Sequence, residues 1–216
     1  MTGSTRRLVM FDHDGVVVDS FAVFGTAFAA ACVEAGIPGV RTPEDVLELF
    51  AGNVYESLRA AGADVGQSRR AMRAAAEALE RELPRLRPFP GMPELLRTLS
   101  TVDDVVIVTS NAEGLVKRFL ARHGLGEGVA VAGFESGRSK VEKIRALVEC
   151  HPGQDVYWFV ADTEGDMREA RLAGATPVGV AWGWHDPARL RDAGARCVAV
   201  SAGELHRLLA PEDAAG

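Results

Sequence analysis

Short apolar segments alternate with amphipathic ones along most of the chain. The apolar segments are rich in β-branched residues, and each later one is followed by a segment whose apolar positions have helical spacing. This alternation predicts βαβ units that build a parallel sheet. The predicted strands lie at 6–11, 104–110, 128–134, 155–162, 176–182 and 196–200.

The stretch from residue 20 to about residue 88 breaks this alternation, because it contains no strand-like segment. Thr42 is placed to cap a helix that begins at Pro43. Residues 66–83 have apolar positions at helical spacing. Prolines around Gly91 then indicate a linker that returns the chain to the sheet.

These patterns predict an α/β protein with two domains. The core is a Rossmann-like parallel sheet with its helices, formed by residues 1–18 and 89–216. A small α-helical domain, residues 19–88, is inserted after the first strand. The chain has 216 residues, of which 47% are hydrophobic, and this is enough to bury a substantial core.

Charge and cysteine usage exclude several classes of protein. The net charge is −6 and the basic residues are scattered, which argues against nucleic-acid binding. The three cysteines have no paired spacing, as suits a reducing compartment. No apolar stretch approaches the roughly 20 residues that cross a bilayer, and the polar start does not resemble a signal peptide. We therefore expect a cytoplasmic protein without a membrane or nucleic-acid partner.

Polar side chains follow three of the predicted strands, whose carboxyl ends meet at one edge of a parallel sheet. They are Asp12, Asp14, Ser110, Asn111, Asp162 and, one helical turn further on, Asp166. Four carboxylates in one crevice would repel each other and raise one another's pKa values. Mg²⁺ prefers oxygen ligands and would relieve this repulsion, so the pattern indicates a magnesium site suited to phosphoryl transfer.

Each carboxylate also has a simpler interpretation. A single aspartate at a strand end usually forms a turn or caps a helix. Asp162 could cap the next helix, with Glu164 in its first turn. The combination of distant strand ends favours chemistry over capping.

Four segments resemble, in order and rough spacing, the motifs of the haloacid dehalogenase-like (HAD) phosphohydrolases. They are "FDHDGVVVDS", "VTSN", "SKVEKI" and "ADTEGDM". The helical insertion after the first strand resembles the small C1 cap of the phosphoglycolate-phosphatase-like branch. The resemblance covers nearly the whole chain and implies a HAD-like fold and a phosphatase.

The resemblance implies a role for each motif residue. Asp12 would be the nucleophile that forms an aspartyl-phosphate, and Asp14 the general acid and base. Gly15 would leave room for its backbone to approach phosphate. The phosphate would be bound by Ser110, Asn111 and Lys140. Mg²⁺ would be held by the Asp12 carboxylate, the Asp14 backbone carbonyl and Asp162, and Asp166 would support the metal through water or orient Lys140.

Some residues have competing interpretations. The third motif is poorly marked, so Lys143 competes with Lys140, which is favoured because it lies at the start of the helix. His13 should point to the opposite side of the strand end, towards the cap interface or solvent, as an ordinary loop histidine. His185 is expected to be a surface loop histidine.

The leading hypothesis is a Mg²⁺-dependent phosphatase of a small phosphorylated metabolite, acting as a monomer or homodimer. A phosphomutase of the β-phosphoglucomutase type would share every core residue. A 2-haloacid dehalogenase would need neither metal nor Asp14, and a receiver-type signalling domain would be much shorter. A non-catalytic phospho-ligand-binding protein is the alternative from a different class.

Overall fold

The computed structural model of the protein describes residues 6–137 and 139–210. Six strands form one parallel sheet in the order β3-β2-β1-β4-β5-β6. The strands are β1 (Leu8–Phe11), β2 (Asp104–Val108), β3 (Val129–Ala132), β4 (Trp158–Ala161), β5 (Thr176–Val180) and β6 (Cys197–Ala199). The predicted α/β fold with a Rossmann-like parallel sheet is confirmed.

Ten α-helices connect and cover these strands within the described residues. They are α1 (Phe21–Glu34), α2 (Pro43–Leu49), α3 (Val54–Ala60), α4 (Val65–Glu82), α5 (Met92–Val102), α6 (Glu113–Arg122), α7 (Lys140–Cys150), α8 (Glu164–Leu172), α9 (Pro187–Asp192) and α10 (Ala202–Leu209). A short 3-10 helix, Phe134–Ser136, follows β3. None of the helices in the described part of the chain is long and apolar enough to span a membrane.

The central strand β1 explains why the sheet forms. All four of its residues are buried, because β2 and β4 flank it and helices cover both faces. Leu8 and Met10 belong to the apolar cluster on one side of the sheet, and Val9 and Phe11 belong to the cluster on the other. Asp12 follows Phe11 directly, so a carboxylate lies at the edge of the sheet where the buried strand ends.

The segment between β1 and α5 contains helices and no named strand, as the sequence predicted. The side chain of Thr42 caps α2 by accepting from the backbone N–H of Asp45, and Pro43 is the first helical residue. Phe28 and Cys32 of α1 are buried, and α1 packs along α4. The division of the chain into two domains stays a prediction.

Candidate active site

A cavity of about 120 Å³ lies at the carboxyl edge of the sheet, under the helical insertion. The side chains that follow β1, β2 and β4 line its base, and side chains from α1, α3 and α4 line its other side. Every residue assigned a role from the sequence, apart from Gly15, lines this cavity. Parallel strands explain this convergence, because all of them end at the same edge.

Lys140 and two carboxylates form a buried ion-pair network. Nζ of Lys140 donates to Oδ2 of Asp12 at 2.8 Å and to Oδ1 of Asp166 at 2.6 Å. Lys140 is the first residue of α7, whose N-terminus is capped by Ser139, so its stem starts close to the sheet edge. The network brings a cation within contact distance of the predicted nucleophile.

Lys143, the rival lysine, has a different partner. It is buried, and its Nζ donates to the backbone carbonyl of Thr109 at 2.6 Å. Burial and the charge of Lys140 lower its pKa. Lys143 therefore supports the loop that follows β2, whereas Lys140 contacts Asp12.

Asp12, Asp162 and Asp166 form a compact acidic cluster. Their nearest carboxylate oxygens all lie within 4.8 Å of one another. Oδ2 of Asp162 accepts from the backbone N–H of Trp184 at 2.8 Å, but Oδ1 is buried without a hydrogen-bond partner. Thr163, and not Asp162, caps α8. A free buried oxygen beside two further carboxylates fits a divalent cation.

The pKa shifts reflect the same crowding of negative charge. Burial, opposed by Lys140, raises the pKa of Asp12 to about 7. Burial, together with the charges of Asp12 and Asp166, raises the pKa of Asp162 well above its usual value. Burial alone would lower the pKa of Lys140, but Asp12 and Asp166 raise it above its ordinary value. A bound divalent cation would stabilise the ionised carboxylates.

Asp14 is held by hydrogen bonds of its own. Its Oδ1 accepts from Oγ of Ser20 at 2.6 Å, and its Oδ2 accepts from Nδ2 of Asn111 at 2.5 Å. Nδ1 of His13 lies 3.4 Å from the same Oδ2. Burial acts to raise the pKa of Asp14, but His13 and Ser20 outweigh it, so the pKa is lowered. Asp12 and Asp14 are therefore chemically distinct although one residue separates them.

The structure gives a physical reason for Gly15. Its φ is +75°, a region that favours glycine. A Cβ at this position would lie 1.8 Å from Oδ2 of Asp162 and 2.7 Å from the ring of Trp184. Gly15 thus makes room for Asp162. Ser110 is exposed and lines the cavity.

Two histidine expectations are wrong. His13 is buried, and its ring contacts the edge of Phe119 with centroids 5.2 Å apart. His185 is also buried: its Nδ1 accepts from the N–H of Glu164, and its Nε2 donates to the carbonyl of Leu47 at 2.9 Å. Sequence reasoning missed both, because a polar residue in a predicted loop carries no signal of which partners the fold supplies.

His185 belongs to a set of contacts between residues 47–51 and the segments that follow β4 and β5. The N–H of Gly165 donates to the carbonyl of Phe50 at 3.0 Å. Arg168 donates to the carbonyl of Ala51, and Arg189 pairs with Glu48 at 2.8 Å. The C-terminal end of α2 is thereby fixed above the acidic cluster.

Comparison with known proteins agrees with this arrangement. Residues 9–180 match the family described as haloacid dehalogenase-like hydrolase. The chain belongs to the haloacid dehalogenase-like hydrolases.

The chain is also similar to individual proteins. The chain is 29% identical to the phosphoglycolate phosphatase of Synechococcus elongatus, over 83% of this chain and 86% of that protein. It is also 29% identical to the tyrosine-protein kinase PtkA of Mycobacterium tuberculosis, over 84% of this chain and 64% of the kinase. A predicted phosphatase from Clostridium acetobutylicum has the same fold, with a TM-score of 0.78 at 21% identity over 95% and 99% of the two chains. The identity to a phosphatase and to a kinase is the same, so sequence identity alone does not assign a substrate to this chain.

Proposed function

We propose that the protein is a Mg²⁺-dependent phosphatase that hydrolyses a small phosphorylated metabolite through an aspartyl-phosphate on Asp12. The observation that carries this proposal is the 2.8 Å contact between Lys140 and Asp12 beside the three-carboxylate cluster. In this arrangement the positive charge of Lys140 would balance the negative charge of the nucleophile and of an incoming phosphate.

The metal would be held by the Asp12 carboxylate, the Asp14 backbone carbonyl and Asp162, with Asp166 supporting it through water. The unpartnered oxygen of Asp162 supports this set. When bound, Mg²⁺ would supply positive charge that orients a phosphate oxygen and neutralises charge on the phosphoryl group.

The residues of the chain divide the reaction into two steps. A carboxylate oxygen of Asp12 attacks phosphorus, and the bond from phosphorus to the ester oxygen breaks as Asp14 gives that oxygen a proton. Water then attacks the phosphoryl group, Asp14 accepts its proton, and the bond to Asp12 breaks with release of inorganic phosphate. The lowered pKa of Asp14 suits the second step, in which the ionised carboxylate acts as the base.

Phosphate binding and closure complete the proposal. Ser110 and the backbone near Gly15 would contact phosphate oxygens, and Lys140 would offset their charge. Asn111 donates to Asp14 in this arrangement, so its proposed phosphate contact requires its amide to be shared between the two. Residues 19–88 would act as the C1 cap that closes over the substrate and excludes water.

A screen of phosphorylated metabolites for phosphate release tests the proposal, with Mg²⁺ present or chelated. We expect release that depends on Mg²⁺ and is abolished in Asp12→Asn. Tight binding without release, equal in the wild type and Asp12→Asn, would instead indicate a binding protein. Interconversion of sugar phosphates without net release would indicate a mutase.

A further inference from the structure

We infer that the part of the substrate beyond the phosphate is small, apolar and uncharged, as in an alkyl or aryl phosphate. This inference rests on the proposed function, since it describes the leaving group of the same site. Its basis is the wall of the cavity opposite the acidic cluster. That wall is apolar and is formed by Phe24, Phe50, Val54, Met72 and Trp184.

The aromatic part of this wall has a fixed geometry. The ring of Trp184 lies 5.2 Å from the ring of Phe24 and 5.0 Å from that of Phe50, centroid to centroid. Phe24 packs in turn against Phe28 in the helical core. Rings held by one another in this way present an apolar surface that does not have to reorganise on binding.

The positive charge at the cavity is already paired with carboxylates. Lys140 is the one basic side chain that lines it among the described residues, and its Nζ contacts both Asp12 and Asp166. Glu169 also lines the cavity and offers no positive charge in either protonation state. A carboxylate or second phosphate on the substrate would lose its hydration here without gaining a positively charged partner.

The polar side chain of Asn53 on the insertion side is also engaged. Oδ1 of Asn53 accepts from the backbone N–H of Tyr55 at 3.1 Å and of Glu56 at 3.4 Å. The Asn53 side chain also forms a hydrogen bond with Glu169. A substrate group that bonds to Oδ1 of Asn53 would therefore compete with existing partners, whereas an apolar group displaces none.

The size of the cavity agrees with a compact substrate. Its volume is about 120 Å³, and a dry cavity of roughly 150 Å³ in another protein holds benzene. This volume also has to hold the phosphate, and it suits a phosphate that carries a short alkyl chain or a single ring.

Matched pairs of esters test the inference, using the full chain with Mg²⁺. Hydroxyacetone phosphate and phosphoglycolate have nearly the same shape and differ by one carboxylate. Phenyl phosphate and 4-carboxyphenyl phosphate form the aryl pair. We expect kcat/KM to be at least about tenfold higher for the uncharged member of each pair, the effect of one missing charge partner. Preference for the carboxylated member of both pairs would overturn the inference.

Variants test whether the apolar wall causes the preference for uncharged esters. Met72→Lys should raise kcat/KM for phosphoglycolate relative to hydroxyacetone phosphate, and Met72→Gln should leave the ratio as in the wild type. Arg138, next to Ser139, lies outside the described residues, so Arg138→Ala is included. If this variant changes the ratio as strongly as Met72→Lys does, Arg138 and not the apolar wall sets the preference, and the inference is wrong.

Binding separates this inference from the proposed function. Benzylphosphonate and 4-carboxybenzylphosphonate cannot be hydrolysed as esters, and calorimetry with Mg²⁺ gives their Kd values. We expect benzylphosphonate to bind at least about tenfold more tightly. If no ester is hydrolysed but this difference holds, the proposed function fails and the inference stands. Equal Kd values would contradict the inference whatever the activity.

Discussion

Lys140 and Asp12 form an ion pair with Nζ and Oδ2 only 2.8 Å apart, although 128 residues separate them in the chain. Both side chains are nearly buried. Removing one member of such a pair leaves the other as an uncompensated charge in a low-dielectric site. The contact therefore predicts that replacement of Lys140 strongly lowers activity. Replacement of the neighbouring Lys143 should lower stability and change activity little.

We expect Lys140→Met to lower kcat/KM by about 10²–10³, the range seen when one group that stabilises charge in a transition state is removed. Lys143→Met should keep kcat/KM within about tenfold of the wild type, because Lys143 contacts a backbone carbonyl and not Asp12. It should instead lower the free energy of unfolding by about 1–3 kcal/mol, because the Thr109 carbonyl loses its partner. Steady-state kinetics and urea unfolding give both quantities. A reversed pattern would make Lys143 the active-site lysine.

Gly15→Ala should impair both folding and metal binding. The new Cβ would lie 1.8 Å from Oδ2 of Asp162, so that carboxylate has to move. Gly36→Ala is a matched control, since Gly36 has φ of +70° but no neighbouring atom within 4 Å of the new Cβ. Gly36→Ala should lose about 1–2 kcal/mol of stability from backbone strain, and Gly15→Ala should lose more because its Cβ also contacts Asp162 and Trp184. Calorimetric titration with Mg²⁺ should show weakened binding for Gly15→Ala alone; equal affinity in both variants would contradict the role of Gly15.

The sequence was sufficient to predict the sheet and the meeting of polar side chains at its edge. Strand ends meet at one edge in any parallel sheet, so Asp12, Asn111 and Asp162 had to lie close together once the strands were recognised. The β1 prediction extended over 6–11, whereas the strand covers Leu8–Phe11, because pairing with β2 and β4 sets its limits. Strand limits of this kind depend on partners that a single segment does not reveal.

Side-chain partners within the site could not be predicted in the same way. Asn111 donates to Asp14, and Ser20 leaves its own helix uncapped to donate to the same carboxylate. Distances of a few tenths of an ångström decide to which of several nearby acceptors a side chain donates its hydrogen bond. His13 shows the same limit, because its burial follows from the position of Phe119 on α6.

The metal-free protein should lose stability as the pH rises through neutrality. The pKa of Asp12 is about 7 in the folded protein and 3.8 in the unfolded chain. Between these values the folded form binds more protons, so its stability falls as the pH rises. From pH 5 to pH 7.5 we expect a loss on the order of 2–3 kcal/mol from this group. Urea unfolding in chelator measures it.

Asp12→Asn is the control for this pH dependence, because it removes the titrating group and keeps the shape. Burial lowers the pKa of His185, whose contribution has the opposite sign below pH 6.5 and is common to both proteins. The difference between the wild type and Asp12→Asn therefore reports Asp12 together with the part of the Asp162 pKa shift that the charge of Asp12 causes. Saturating Mg²⁺ should remove most of the loss, since the cation favours the ionised carboxylate. An identical slope in the two proteins would show that Asp12 is not the group responsible.

His185 should contribute more to stability than the exposed ion pair beside it. His185→Leu leaves the Leu47 carbonyl and the Glu164 N–H without their partner, so we expect a loss of about 2 kcal/mol in the free energy of unfolding. Glu48→Gln removes a pairing with Arg189 in which the Glu48 side chain is 68% exposed, and it should cost less than about 1 kcal/mol. Urea unfolding of both variants gives the comparison. Equal losses would mean that the exposed ion pair holds α2 as strongly as the buried imidazole does.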